Sequence, residues 1–394
     1  MSGRPTGSRR HRGASHAAQV WRELITVHPH ATAHWSALRA AVGIAVSSGC
    51  VLAVGRPQWL GYASFGCFVA VYGRHATWRA RLETQLGVGA ALTATVTLGT
   101  VAGLFRPGGL VTAFLLMVVS GLGFLTAKRH DWVPPPSVFL VFAAGATSAM
   151  PVTAGDLVPA VCVTAGSAAL GVMIGQLGRL LPADERNRFG RTPGTYRSLR
   201  REPGLVREAV CYTAGPFLAT LLAAAAGFGH PSWAGVAATV PLAGRTAAVQ
   251  AARAAQRFAG TLVGIVVTYA VLVPDLPAWM LWIVVVLCML VAELFIARHY
   301  GIAVVGITPT ALVTGHLAAP GPLRSVLGDR VVETLAGVVV SLVVLSAADR
   351  VQRRANRRPR DHGLRERRWP RVTGRTAGDM KESEWNDQES LSPR

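Results

Sequence analysis

The stretch Glu293–Thr310 reads ELFIARHYGIAVVGITPT and decides how this chain is interpreted. Two apolar runs flank a polar junction at Arg298–Tyr300; the first run carries an acid, Glu293, and the second is interrupted by Thr308-Pro309. A carboxyl group near hydrocarbon is costly unless it has a partner or water. A proline inside a helix leaves the carbonyl four residues earlier, here that of Val305, without its N–H donor. These features are not those of a simple membrane anchor, and they direct the search for function to this stretch.

The composition of the chain is that of a membrane protein. Of its 394 residues, 51% are hydrophobic and 15% are charged, whereas about 25% are charged in a soluble domain. Apolar runs recur along almost the whole length, which predicts an all-α polytopic membrane protein. The formal net charge of +20 is concentrated in the two ends and in the connecting loops, and this placement favours membrane topology over nucleic-acid binding.

The apolar runs are interpreted as two sets of six transmembrane helices. Several runs are shorter than the roughly 20 residues that cross hydrocarbon, so the predicted count is twelve, with ten as the alternative. The predicted spans are 38–54, 59–72, 86–105, 110–127, 137–150 and 157–178 in the first set, and 208–227, 232–244, 258–273, 277–296, 301–317 and 331–348 in the second.

The spans divide the chain into five parts and fix its predicted orientation. With both termini in the cytoplasm, all but four of the 40 Lys and Arg residues lie on the cytoplasmic side, as the positive-inside rule requires. This arrangement predicts a multi-pass protein of the bacterial plasma membrane. The parts are a basic N-terminal segment at 1–37, expected to be largely disordered with a short amphipathic helix, a first membrane half at 38–178, a linker at 179–206, a second membrane half at 207–348, and a basic tail at 349–394 that composition predicts to be disordered.

The two halves share sequence features. The pattern Pro-x-Trp-x-Gly-x-Ala occurs at Pro57–Ala63 and again at Pro231–Ala237, and Arg129-His130 corresponds to Arg298-His299. Because each half has an even number of spans, the two halves have the same orientation. This predicts a 6+6 parallel internal repeat, an arrangement that is typical of many secondary transporters.

Three motifs follow one another in the second half. They are Arg257-x-x-Gly260-Thr261-x-x-Gly264, the run from Glu293 through Tyr300 to Thr308-Pro309, and Arg330-x-x-Glu333-Thr334-x-x-Gly337. In this order they resemble the fusaric-acid-resistance-like (FUSC) family, an integral membrane bound transporter domain family that includes aromatic acid exporters. His299 replaces the usual Asn and Glu333 the usual Asp. The resemblance covers residues 230–348 well and implies a transporter of aromatic or related organic acids.

Two acids are the candidates for ion coupling or gating. Glu293 lies near the cytoplasmic end of its span, where it is either a protonatable carboxyl that couples export to a proton gradient or the structural partner of Arg298 or Arg257. Glu333 lies near the outer end of its span, where it either attracts substrate and gates the outer mouth or forms a solvated i, i+3 pair with Arg330.

The remaining site candidates divide between substrate contact and membrane anchoring. Arg298, Arg129 and Arg257 either anchor the cytoplasmic face or bind a substrate carboxylate, for which a guanidinium group is well shaped. Thr308 and Pro309 are candidates for a kinked or unwound helix that faces substrate. The indoles of Trp59 and Trp233 either belong to the interfacial aromatic belt or stack on an aromatic substrate.

The predicted function is secondary transport, with efflux of small organic, including aromatic, acids driven by an ion gradient. The alternatives are a passive organic-anion channel and a non-transporting membrane scaffold. The five cysteines lie in apolar spans without metal-ligand or disulfide spacing, and the sequence has no nucleotide-binding or hydrolase motif. We therefore expect no enzyme activity, cofactor or metal. The expected partners are a small organic anion, anionic lipids at the basic termini and other copies of the chain, but no nucleic acid.

Overall fold

A computed structural model describes residues 15–29, 33–73, 77–105, 108–134, 137–177, 199 and 204–357. Within these ranges the regular structure is helical, which confirms an all-α protein. The chain forms two units, Met1–Gln352 and Arg353–Arg394. Of the second unit, the structure describes only the last turn of the final helix.

Thirteen α-helices occur in the described residues. An amphipathic helix precedes the membrane region, six helices follow in the first half and six in the second. Their bounds are α1 His16–Ile25, α2 Ala33–Ala53, α3 Leu60–Cys67, α4 Trp78–Leu104, α5 Gly109–His130, α6 Ser137–Ser148, α7 Leu157–Gln176, α8 Leu205–Ala225, α9 Ser232–Leu242, α10 Ala247–Leu272, α11 Ala278–Phe295, α12 Tyr300–Ala318 and α13 Leu323–Arg357.

Eight of the described helices are long and apolar enough to cross a membrane, namely α4, α5, α7 with the turn before it, α8 and α10 to α13. Three further apolar helices are shorter, at Ala37–Ala53, Ser137–Ser148 and Ser232–Leu242. Every predicted span overlaps a helix of the structure. The multi-pass helical architecture is therefore confirmed.

Three helices begin at least eight residues earlier than the predicted spans. Hydropathy places the starts at residues 86, 258 and 331, whereas α4, α10 and α13 begin at Trp78, Ala247 and Leu323. The added turns carry charged residues, which lower the local hydropathy but are compatible with a helix that packs against other helices rather than against lipid. The same helix α13 continues to Arg357, beyond the predicted boundary at residue 348.

The helix α12 is continuous through Pro309, so of the two predicted forms the unwound one at Thr308-Pro309 is wrong, and the kink stays a prediction. Both residues are buried. A Cβ built on Gly264 of α10 would lie 2.6 Å from the Cβ of Thr308, and one on Gly260 would lie 2.5 Å from the carbonyl oxygen of Gly301. The two glycines therefore allow α10 and α12 to pack closely, as the spacing of small residues predicts.

The two halves pack together through their first and fourth helices. Helix α5 contacts α8, and helix α11 contacts α2. Phe124 stacks on Tyr212 at a centroid distance of 4.6 Å, and the indole N–H of Trp282 donates to the Ser48 hydroxyl over 2.9 Å. The second and fifth helices also contact each other across the halves, α6 with α9 and α3 with α12. These contacts join the two halves around a space that lies between them.

The helix α1 docks on the second half, although much of the N-terminal segment was predicted to be disordered. Its last turn accepts two side-chain hydrogen bonds at backbone carbonyls: Gln256 donates to Glu23 over 3.2 Å, and His299 Nε2 lies 2.7 Å from the carbonyl oxygen of Leu24. The N–H of His28 donates to the carbonyl of Arg298 over 2.9 Å. This segment therefore covers the α11–α12 junction. Residues 1–14 lie outside the described residues, as does most of the linker.

Candidate functional site

A cavity of about 580 Å³ lies within the first unit, between helices of the two membrane halves. Its walls come from α3 and α6 of the first half and from α9 to α13 of the second. It reaches the α11–α12 junction at one end, called here the α11–α12 end, and the α12–α13 connection at the other, called the α12–α13 end. A single cavity of this size accommodates a small organic molecule.

The first half supplies an aromatic wall to the cavity. Phe65 lies near the end of α3, and Phe68 lies one turn later in the 3-10 turn Phe68–Val71 that follows it, whereas Phe139 and Phe142 lie one turn apart on α6. Phe65 meets Phe142 edge-on at 5.3 Å between centroids, and Phe68 meets Phe139 at 4.8 Å. The i, i+3 spacing directs both rings of each pair to one face. This wall is suited to an apolar, flat ligand.

The second half supplies charged and polar groups at the α11–α12 end. Arg253, Arg257, Glu293 and Tyr300 line the cavity there. Arg257 and Glu293 are each 3% exposed, and the guanidinium of Arg253 lies 5.8 Å from the centroid of the Tyr300 ring. The Nε of Arg257 has no hydrogen-bond partner among the described residues. Two cations and one acid therefore face a largely apolar space.

The α12–α13 end carries a hydrogen-bonded acid cluster. Glu333 Oε1 accepts the backbone N–H of His230 over 2.6 Å, and Asp329 Oδ2 lies 3.3 Å from His230 Nδ1. Candidate ligand atoms of the three residues lie within 4.8 Å of one another, but the neighbouring cation Arg330 disfavours a metal ion there. His230 also stacks on Trp233 at 4.5 Å between centroids. His230 and Trp233 both line the cavity.

Arg330 is the most deeply buried cation of this end. Its side chain is 1% exposed and its guanidinium carbon lies 4.5 Å from the centroid of Trp233. None of its three guanidinium nitrogens has a hydrogen-bond partner among the described residues. Glu333 is 0% exposed. The prediction of a solvated Arg330–Glu333 pair is therefore wrong, because helix packing buries both residues and His230 binds the carboxylate instead.

The structure brings together some predicted site residues and leaves others apart. Arg257, Glu293 and Trp233 line the cavity, and Glu333 lies behind His230 at its far end. Among the described residues that form the wall, the other candidates do not occur. Arg129 is exposed at the end of α5, Arg298 lies in the α11–α12 junction, Trp59 lies under the guanidinium of Arg56 at 5.6 Å, Thr308 packs against Gly264, and Pro309 is buried in α12.

Sequence reasoning did not select several residues that form the site. Arg330 was considered only as the partner of Glu333, and His230, Arg253 and Tyr300 were not singled out. Neither were the four phenylalanines. The paired i, i+3 phenylalanines on two short apolar runs were an available signal for a shared aromatic face. The role of His230 was not predictable, because its contacts with α13 join residues about 100 positions apart in the chain.

Comparison with known protein families finds a match in the second half. Residues 218–344 match the family described as fusaric acid resistance protein-like. The match includes Trp233, Arg257, Glu293, Arg330 and Glu333. The aromatic wall of the cavity belongs to the first half and lies outside the matched residues. None of the curated proteins matches the chain, and neither does any solved structure.

Proposed function

We propose that this protein, whose residues 218–344 match the family described as fusaric acid resistance protein-like, is a secondary transporter that exports small organic, including aromatic, acids in response to an ion gradient. The observation that carries the proposal is the cavity between the membrane halves, where an aromatic wall faces Arg257 and Glu293. The family match and the apolar helices support a membrane transporter-type protein. The substrate class and the coupling are inferred from the cavity.

The proposed substrate class follows from the two walls of the cavity. The phenylalanines on α6, at the end of α3 and in the turn after α3 offer an apolar, aromatic surface to a flat ligand. Arg257 offers a buried guanidinium, which binds a carboxylate through paired charge-assisted hydrogen bonds. A small aromatic carboxylic acid matches both surfaces at once. The cavity volume of about 580 Å³ is within the range of ordinary small-molecule sites.

Glu293 is the proposed coupling residue. Its carboxyl is buried on α11, faces the cavity and lies on the same side of the site as Arg257. Intramembrane carboxyl groups are a recurring feature of proton relays in transporters. Uptake of a proton by Glu293 would change the charge of the site from which the anion is released. A structural ion pair at this position remains the alternative reading of the same residue.

The architecture that we propose for transport is twelve crossings in two parallel sets of six, with both termini in the cytoplasm of a bacterium and the protein in its plasma membrane. Reciprocal contacts support it, because the fourth helix of each half packs on the first helix of the other, α5 on α8 and α11 on α2. A glycine of the third helix also meets a threonine of the fifth in each half, Gly99 with Thr147 and Gly264 with Thr308. A two-fold axis along the membrane normal produces this reciprocity.

Transport by this architecture would consist of rocking of one half against the other around the cavity. The substrate would be exposed alternately at the α11–α12 end and at the α12–α13 end. The basic termini would bind anionic lipid of the inner leaflet, and copies of the chain would associate in the membrane. No enzymatic step, cofactor or nucleic acid takes part in this proposal.

The test is flux of benzoate and related acids into proteoliposomes that contain the full chain, with and without an imposed pH gradient. We expect gradient-driven accumulation by the wild type, its loss in Glu293→Gln, and a decrease of about tenfold or more in Arg257→Gln because a charge-assisted hydrogen bond is removed. Arg245→Gln is the matched control, since Arg245 is exposed at the end of α9.

Two results would contradict the proposal. Benzoate flux that follows only its own gradient and is unchanged in Glu293→Gln would indicate a passive channel. Absence of flux for every acid tested, in protein that is folded and correctly inserted, would leave the scaffold function as the better explanation of the fold.

A further inference from the structure

The buried guanidinium of Arg330 is not explained by packing. The side chain is 1% exposed, and none of its nitrogens has a hydrogen-bond partner among the described residues. A guanidinium has five N–H donors and stays protonated in proteins. Burial of such a group is costly unless an anion and hydrogen-bond acceptors accompany it. The guanidinium therefore indicates a ligand that is anionic.

The neighbouring acids do not act as that anion. Glu333 is one turn from Arg330 on α13, but its Oε1 accepts the backbone N–H of His230 over 2.6 Å. Asp329 contacts His230 Nδ1 at 3.3 Å. Both carboxylates are thus directed to the loop before α9, away from a hydrogen bond with Arg330. Their charges lower the electrostatic cost of burying the Arg330 guanidinium, but they accept no hydrogen bond from its N–H groups.

The guanidinium adjoins the wall of the cavity. Trp233, over whose ring it lies at 4.5 Å, is part of the wall, and so is Leu327, one turn before Arg330 on α13. Arg257 and Tyr300 also line the cavity and lie within electrostatic range of Arg330. Two guanidinium groups close to one apolar space produce a positive potential that attracts anions. Arg330 is 1% exposed and is not among the described residues of the wall, so a ligand in the cavity reaches its guanidinium only if the Trp233 ring moves.

We propose that Arg330 is an anion-binding residue of this cavity, with Trp233 as the adjoining aromatic surface and a small aromatic monocarboxylate as its preferred ligand. The planar fork of the guanidinium matches the two oxygens of a carboxylate, and the indole offers contact to the attached ring. A halide ion shares only the charge of this ligand. The link of the site to transport rests on the proposed function, whereas the binding itself does not.

The proposal assigns an opposite effect to Glu333. In its ionised form the Glu333 side chain lies near the anion site and repels a bound anion. The amide oxygen of a glutamine at this position still accepts the N–H of His230 and keeps the loop in place. Glu333→Gln therefore removes the repulsion without removing the hydrogen bond. His230, Asp329, Arg257 and Tyr300 are the other titratable groups around the site.

The experiment is calorimetric titration of the purified full-length protein with benzoate in chloride-free buffer. We expect Arg330→Gln to weaken benzoate binding by about tenfold or more, because charge-assisted hydrogen bonds are lost, and Glu333→Gln to strengthen it severalfold. Arg330→Lys keeps the positive charge but not the planar pair of N–H donors, so it should weaken the binding of benzoate more than the binding of chloride. Arg245→Gln, which changes an exposed cation, should bind benzoate as the wild type does.

Chloride titrated alone distinguishes the two kinds of ligand. Binding of benzoate more tightly than chloride supports the carboxylate site, and equal binding of the two ions overturns the preference for a carboxylate. Unchanged benzoate binding in both Arg330→Gln and Arg330→Lys overturns the assignment of Arg330. Equal weakening by Arg330→Gln and Glu333→Gln also overturns it, because a structural pair would be lost in both variants.

Failure of this inference and failure of the proposed function give different results. Benzoate binding that depends on Arg330, without gradient-driven flux in proteoliposomes, supports the site and contradicts the transporter. Gradient-driven flux that depends on Glu293, together with benzoate binding that is unchanged in Arg330→Gln and Arg330→Lys, supports the transporter and overturns the site.

Discussion

The third helix of each membrane half buries an arginine, but the two arginines have opposite surroundings. In the first half, Arg81 on α4 donates to the carbonyl of Gly73 over 3.0 Å and to that of Gly175 over 2.9 Å. In the second half, the Nε of Arg257 on α10 has no hydrogen-bond partner among the described residues, and the side chain faces the cavity. A buried arginine whose N–H groups donate to backbone carbonyls stabilises the fold. One whose N–H groups have no protein acceptor is available to bind a ligand.

The difference extends beyond this pair of residues. Near Arg81, the amide of Gln85 donates to the carbonyls of Val69 and Tyr72, each over 3.4 Å. The polar groups at this end of the first half thus bind its own backbone. In the second half, Arg257 and Arg330 both keep donors that have no partner in the part of the chain that the structure describes. The comparison assigns a structural role to the polar groups of the first half and a ligand-binding role to those of the second.

The largest expected effect is common to both halves and comes from the glycines at the helix contacts. A Cβ on Gly99 would lie 2.0 Å from the Thr147 hydroxyl and 2.9 Å from the Ala144 carbonyl, and one on Gly264 would lie 2.6 Å from the Cβ of Thr308. Gly99→Val and Gly264→Val should each destabilise the protein by about 3 kcal/mol or more. The measurement is thermal unfolding in detergent. The control is Gly166→Val, which meets no atom within 4 Å; equal tolerance of all three would contradict the packing.

The next effect separates the halves. Arg81→Met should destabilise the protein by roughly 2–3 kcal/mol, because two carbonyls lose their donor. Benzoate binding should persist in the fraction that remains folded. Denaturant unfolding of the purified variant measures the first effect and calorimetry the second. Loss of benzoate binding with unchanged stability would reverse the roles that the comparison assigns to Arg81 and Arg257.

Arg330→Met should change the free energy of unfolding in the opposite direction to Arg81→Met when no anion is present. Removal of a buried cation with unused donors should stabilise the protein by about 1–3 kcal/mol, and addition of benzoate should then produce no further stabilisation. The wild type should gain stability with benzoate concentration, as mass action requires for a ligand of the folded state. Destabilisation of Arg330→Met in chloride-free buffer would show that packing or Glu333 already compensates the charge.

The smallest effect concerns the two tryptophans that occupy matching sequence positions. Trp233→Leu should weaken binding of an aromatic acid by about 2–10-fold, since one aromatic contact contributes about 0.5–1.5 kcal/mol. Trp59→Leu should leave the affinity unchanged, because Trp59 lies under Arg56 and outside the cavity wall. Binding of an aliphatic acid of similar size is the control. Equal effects of the two substitutions would show that the halves contribute alike.

The positions of most helices were predictable because hydrocarbon imposes a simple rule on sequence. A segment that crosses the membrane must be apolar over its length and must satisfy its backbone internally. The starts of α4, α10 and α13 were not predictable by this rule, since their first turns carry Arg81, Arg257 and Arg330. Those charges are buried by neighbouring helices. A hydropathy average along the chain carries no information about which helices pack together, so it cannot show this burial.

The candidate site was predictable in part. The acid Glu293 and the arginine Arg257 were selectable because charged residues in apolar helices are costly and therefore informative. Thr308 was selected as a site candidate in the same stretch as Glu293, yet it faces Gly264 of α10. The glycines of α10 set the rotation of α12 about its axis, and this rotation turns Thr308 away from the cavity. Glu333 was selected with the wrong partner. The sequence places Arg330 one turn away, but the loop before α9 supplies the N–H of His230.

The sequence by itself determined that this is an all-α, multi-pass membrane protein whose residues 218–344 match the fusaric acid resistance protein-like family, since apolar length and local motifs are properties of consecutive residues. Only the tertiary structure decided which of its charges share one space. The aromatic wall comes from α3, the turn after it and α6, whereas Arg257, Glu293 and Trp233 come from the second half. Helix packing across the two halves brings these distant segments together and decides which donors the backbone uses, and neither result is encoded in a local pattern.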